Sequence, residues 1–151
     1  MILGIHHTAI STPDFERAVA FYRDLLGFEE MMNGGWPKGI ESIDRLIGLR
    51  DSSARMAMLK LRNAMLEIFE FASPAPKPGD PDRPVNDCGL THICLHVSGI
   101  DDEYQRLRNA GMRFHSPPLD AGPTRCCYGR DPDGNVIELL EFTRPDDPLR
   151  L

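Results

Sequence analysis

Two histidines and two glutamates stand at matched places in two parts of this chain. His7 lies in Gly4-Ile5-His6-His7-Thr8-Ala9-Ile10 and His92 in Gly89-Leu90-Thr91-His92-Ile93-Cys94-Leu95. Glu67 lies in Leu66-Glu67-Ile68-Phe69-Glu70-Phe71 and Glu138 in Ile137-Glu138-Leu139-Leu140-Glu141-Phe142. In each pair of stretches the order of residue types repeats, so His7 falls on His92, Glu67 on Glu138 and Glu70 on Glu141. A carboxylate in an apolar strand is costly to bury without a partner. Two imidazoles and two carboxylates together suit one borderline divalent ion, Fe, Mn, Co, Ni or Zn, with coordination positions left for substrate or water. Such an ion polarises a carbonyl or stabilises an enediolate, and a carboxylate beside it moves a proton. A histidine taken alone is more often a hydrogen-bonded structural residue than a ligand. The inference therefore rests on the set of four.

The elements that position these residues follow from periodicity. Residues 4–11 read as a strand. Thr12 is placed to cap a helix with Pro13 at its first position, and Phe15, Val19, Tyr22 and Leu26 recur at helical spacing until Gly27. A strand over 28–32 is followed by a loop over 33–39 holding three glycines and Trp36, then one or two helical turns within 40–51. Strands over 56–61 and 64–72 join through a tight turn at Arg62-Asn63. Residues 73–88 are too proline-dense for helix or central strand and read as an extended linker. The second half repeats the plan: strand 89–97, helix 100–110, strand 112–115, a proline-rich loop, strand 124–129, a turn at 131–135 and strand 136–143. Asp131-Pro132-Asp133-Gly134 is turn chemistry and implies nothing more.

The result is a single α+β domain over 1–151 made of two βαβββ modules, 4–72 and 89–143. Side chains alternate along a strand, so Glu67 and Glu70 point to opposite sides, as do Glu138 and Glu141. If the two modules pack about a pseudo-twofold axis, His7, His92, Glu67 and Glu138 converge. The first module carries the extra residues around 33–55, where an insertion can shape a substrate pocket.

Composition sets limits on partners. A net charge of −6 over 151 residues argues against a general nucleic-acid or anionic-membrane surface. No apolar run approaches a membrane span, no leader pattern opens the chain, and the expected location is the cytoplasm. Cys88, Cys94, Cys126 and Cys127 lack CxxC spacing and read as reduced packing or edge residues.

With these motifs in place, including Phe21-Tyr22, Leu25-Leu26-Gly27-Phe28 and the terminal Asp131-Pro132-Asp133-Gly134-Asn135, the chain resembles the vicinal oxygen chelate superfamily of glyoxalase I, methylmalonyl-CoA epimerase, extradiol dioxygenases and the fosfomycin and bleomycin resistance proteins. The resemblance runs from His7 to Phe142. It implies paired βαβββ modules forming a cupped mixed sheet, commonly in a homodimer, with metal ligands at His7, His92 and Glu138 and a fourth at Glu67. It also implies a small-molecule substrate held through vicinal oxygens or an enediolate. The expectation is a lyase or isomerase of glyoxalase or epimerase type, with Glu67 or Glu138 as the proton-moving group. An Fe(II) extradiol dioxygenase using His7, His92 and Glu138 alone is the first alternative, and a small-molecule binding or resistance protein the second. Secondary substrate contacts are Arg125 or Tyr128, whose opposite parity allows one of them to face the site, and His96, which shares parity with His92. Trp36 is read equally as a lid residue or a structural anchor.

Overall fold

The computed structural model describes all residues, 1–151. The chain forms two compact units, Met1–Pro78 and Gly79–Leu151, and each carries one mixed sheet. The α+β assignment holds.

In the first unit, β1 (His7–Ser11), β2 (Glu29–Trp36), β3 (Ser53–Leu61) and β4 (Ala64–Ser73) take the order β1-β4-β3-β2. β1 runs parallel to β4, and the other pairs are antiparallel. Helix α1 (Phe15–Ala20) passes into a π-helical turn, Phe21–Leu25, before Gly27 ends it with φ 79°. Phe15, Val19 and Tyr22 are buried, as the spacing predicts. The cap differs from the expectation. Asp14 holds it, accepting from the Arg17 N–H at 3.1 Å, while the Thr12 hydroxyl accepts from the Asp14 N–H at 3.1 Å. Asp14 is in the extended region, so the helix starts two residues later than a Thr12 cap would place it.

A second difference lies in β2, which continues through the glycines expected to form a loop. A Cβ on Gly35 would lie 2.2 Å from the Ala54 carbonyl oxygen, so the glycine permits close strand approach and does not mark a break. Helix α2 (Glu41–Ile47) fulfils the one- or two-turn expectation and buries no residue of its own. The β3–β4 hairpin turns at Arg62-Asn63, with Arg62 at φ 46°.

The second unit repeats the topology. β5 (Ile93–His96), β6 (Arg113–Phe114), β8 (Thr124–Arg130) and β9 (Val136–Phe142) take the order β5-β9-β8-β6, with β5 parallel to β9. β5 is shorter than the expected 89–97, and His92 stands directly before it. A short β7 (Leu119–Ala121) pairs with β8 inside the segment read as a proline-rich loop. Helix α3 (Ile100–Asn109) buries Ile100, Tyr104 and Leu107, the i, i+4, i+7 face.

The turn before β9 is built as its residues dictate. The Asp131 carboxylate accepts from the Asp133 and Asn135 N–H groups, and Gly134 sits at φ 91°. A Cβ on Gly134 would lie 2.3 Å from Pro81. The half-buried Arg83 carbonyl accepts from the Arg130 guanidinium at 2.8 Å. The latter part of the proline-rich segment thus packs on the second unit.

Candidate metal centre

Parity and register fix the two faces of each sheet. In the first unit Glu70 points toward α1 and accepts from the Phe15 N–H at 3.3 Å. Glu67, three residues earlier, points to the other face, where its Oε2 lies 3.2 Å from His7 Nε2. The second unit repeats this. Glu141 accepts from the Gly99 and Ile100 N–H groups at the start of α3, and Glu138 Oε2 lies 3.0 Å from His92 Nε2. One glutamate of each strand therefore anchors a helix, and the other meets a histidine on the open face.

Both imidazoles are also engaged at the other ring nitrogen by the preceding residue. His7 Nδ1 lies 2.8 Å from His6 Nδ1, and His92 Nδ1 lies 2.9 Å from the Thr91 hydroxyl. A neutral ring that donates from Nδ1 to such a partner leaves the Nε2 lone pair for a metal. The carboxylates are the more buried members: side-chain exposure is 14% for Glu67 and 12% for Glu138, against 36% and 30% for His7 and His92. In neither unit do three or more His, Cys, Asp or Glu side chains gather around one point. Each unit contributes one nitrogen and one oxygen donor. A nitrogen and an oxygen donor of this kind are among those a borderline divalent ion accepts.

The surroundings of the two carboxylates differ. Glu67 stands between Ala9 on β1 and Met58 on β3, whereas Glu138 stands between Cys94 on β5 and Tyr128 on β8. Burial, then the charge of Glu138, pushes the Cys94 thiol up to about 12. The same two causes raise Cys126 and Tyr128. The Tyr128 ring packs edge-on against His92 at 5.3 Å and stacks on His115 at 6.5 Å.

Of the other residues singled out from sequence, Tyr128 is on the Glu138 face and Arg125 is not. Arg125 lies across from Glu141 and forms a two-bonded ion pair with Asp101 at the start of α3, plus a contact to Asp120. Its guanidinium is committed to positioning that helix. His96 lies on the Glu138 side, its ring edge-on to Phe142 at 5.3 Å. All four cysteines are free thiols. Sequence reasoning passed over His6 and Thr91, which share a place in the repeat, and over Cys94 and Cys126, whose parity puts them beside Glu138.

A family model described as the Glyoxalase/Bleomycin resistance protein/Dioxygenase superfamily matches residues 4–139. The chain belongs to this superfamily. A 2-epi-5-epi-valiolone epimerase of an Actinomyces species is 30% identical to this superfamily member, over 93% of the chain and 80% of its own length. A probable lactoylglutathione lyase of Synechocystis is 24% identical over 93% of the chain and 97% of its own length. Among solved structures, a glyoxalase family protein from Bacillus cereus superposes with a TM-score of 0.85 at 22% identity, covering 94% of this chain and 95% of that one. The glyoxalase fold follows from that superposition. No helix is long and apolar enough to cross a membrane.

Proposed function

We propose that this chain is a divalent-metal-dependent epimerase or lyase of glyoxalase type, acting beside the carbonyl of a small 2-oxo or 2-hydroxy compound or thioester. His7, Glu67, His92 and Glu138 hold the ion. The observation that carries the reading is the repeated pairing of an imidazole Nε2 with a carboxylate Oε2 at 3.2 and 3.0 Å on the sheet face opposite each helix. When bound, the ion supplies Lewis acidity toward the substrate carbonyl. The epimerase and lyase names of the relatives support a redox-neutral reaction. The position of Glu67 on the His7 side favours four protein ligands over the three of an oxygen-activating site.

The residues divide the work by their surroundings. His7 and His92, each gripped at Nδ1, present Nε2 in a fixed direction. Glu138 is flanked by thiol and phenol groups able to donate to it, which holds its carboxylate in place. Glu67 has apolar flanks and is freer to turn, so it takes the proton from the carbon beside the carbonyl and returns it.

Elemental analysis of protein purified without chelators tests this. The expected result is about one divalent ion per chain, lost in both Glu67→Gln and Glu138→Gln, since each removes one of four ligands. Iron in the native protein, with loss in Glu138→Gln alone, replaces this reading with a ring-cleaving dioxygenase. No metal under replete conditions replaces it with a small-molecule binding protein.

A further inference from the structure

On the open face of the first unit, the His7–Glu67 pair continues into a band of apolar side chains. Glu67, Phe69 and Phe71 alternate onto this face of β4, with Met58, Met56 and Ala54 beside them on β3. The next strand, β2, brings Met32, Gly34 and Trp36 to the same row positions. Trp36 stands edge-on to Phe69 at 5.9 Å and to Phe71 at 6.0 Å, while those two rings lie tilted at 5.5 Å.

Trp36 is fixed from behind. Its indole N–H donates to the hydroxyl of the fully buried Ser52 at 3.0 Å, and that hydroxyl donates to Asp44 on α2 at 2.5 Å. The Asp44 carboxylate also accepts from the Ser52 and Asp51 N–H groups, and these bonds, the hydroxyl's above all, hold it below the usual carboxylate range. The indole's single polar atom is thus satisfied, and the ring offers only apolar surface to the open side. Gly34, between Met32 and Trp36 and opposite Met56, leaves open space there: a Cβ added to it would meet nothing within 4 Å.

We propose that this band is a subsite for an aryl substituent of the substrate, with Trp36 the residue that sets the preference. The inference rests on the functional reading above and narrows it to aryl 2-oxo or 2-hydroxy carbonyl compounds. Continuity with the His7–Glu67 pair on one face of the same strands assigns the open space over Gly34 to a substrate group. An edge-to-face aromatic wall accepts another ring at little entropic cost, and the flexible methionines close around it. The second unit has no such band; at the places in its repeat that correspond to Met58 and Met56 it carries Tyr128 and Cys126.

The test is calorimetric titration of the metal-replete protein with phenylpyruvate and with pyruvate, in the wild type, Trp36→Ala and Gly34→Leu, with metal content and light scattering measured on each. The wild type is expected to bind phenylpyruvate about tenfold or more tightly than pyruvate, from the apolar area the ring buries. Gly34→Leu fills the open space between Met32, Trp36 and Met56 and is expected to bring the ratio to about two with metal content unchanged. Trp36→Ala has the same effect if it folds, and the glycine variant decides if it does not. Equal binding of the two acids by metal-loaded protein, or a preference that survives Gly34→Leu, overturns the subsite and leaves the functional reading standing. Protein that holds no metal and binds neither acid removes both. A dimer that Gly34→Leu splits, with no ligand preference in the wild type, overturns the subsite in favour of a contact between copies of the chain.

Discussion

Glu67 and Glu138 occupy the same place in two copies of one βαβββ plan, yet one is bracketed by Ala9 and Met58 and the other by Cys94 and Tyr128. The repeat has kept the positions of the donors, because strand order and parity place them. It has let the neighbours diverge, because a neighbour need only suit its own side chain. Each unit thus offers the same imidazole–carboxylate pair in a different setting, one apolar and aromatic, the other rich in thiol and hydroxyl groups.

The thiols give the largest expected contrast. All four cysteines belong to the second unit. Although Cys94 is exposed as a residue, its sulfur is desolvated and faces Glu138, which pushes the thiol up to about 12. A raised value means less thiolate at neutral pH, so alkylation at Cys94 should be slower than at an ordinary thiol by on the order of a thousandfold. Timed iodoacetamide labelling with peptide mapping should find Cys88 modified well before Cys94. Equal rates at the two would remove the carboxylate–thiol contrast between the units.

Next in size is the pair of helix anchors. α3 begins at Gly99, which has no side chain to cap with, and Glu141 supplies the acceptor from β9. α1 has its own cap in Asp14, and Glu70 accepts a single N–H there. Glu141→Ala should therefore cost about 2 kcal/mol and Glu70→Ala about 1 kcal/mol in urea unfolding. The reverse order would show that Asp14 does not carry the α1 terminus.

The smallest contrast concerns how each imidazole is held. Loss of the Nδ1 partner, in His6→Ala or Thr91→Ala, should weaken metal binding by about tenfold, and His6→Thr should restore it, since threonine does this in the other unit. Competition with a chromophoric chelator measures all three. If His6→Ala leaves affinity unchanged while Thr91→Ala lowers it, the first unit orients its histidine by some other means.

Much of this was legible before any coordinates. The internal repeat matches His7 with His92 and Glu67 with Glu138, and parity alone separates Glu67 from Glu70; that each histidine meets the glutamate of its own unit follows from the pairing of β1 with β4 and of β5 with β9. What parity cannot supply is the identity of the face. Arg125 and Tyr128 were known to point apart, but the pairing of Tyr128 with Glu138 and of Arg125 with Glu141 is a matter of register between strands. The glycines at 34 and 35 misled because a loop and a close strand approach demand the same residue. The cap misled because Thr12 and Asp14 are both good caps, and backbone geometry chose between them. The partners of the histidine Nδ1 atoms lay in plain view, one residue upstream, with no periodic signal to mark them.

Trp36 is the sole tryptophan of the chain, and it is tied through Ser52 to α2 within the first unit. The chain therefore carries a built-in optical reporter for one of its two copies. Emission follows the melting of the first sheet and the arrival of anything that settles on its aromatic wall. Far-ultraviolet dichroism follows both sheets at once. Recorded together on one sample, the two signals separate the halves without a label.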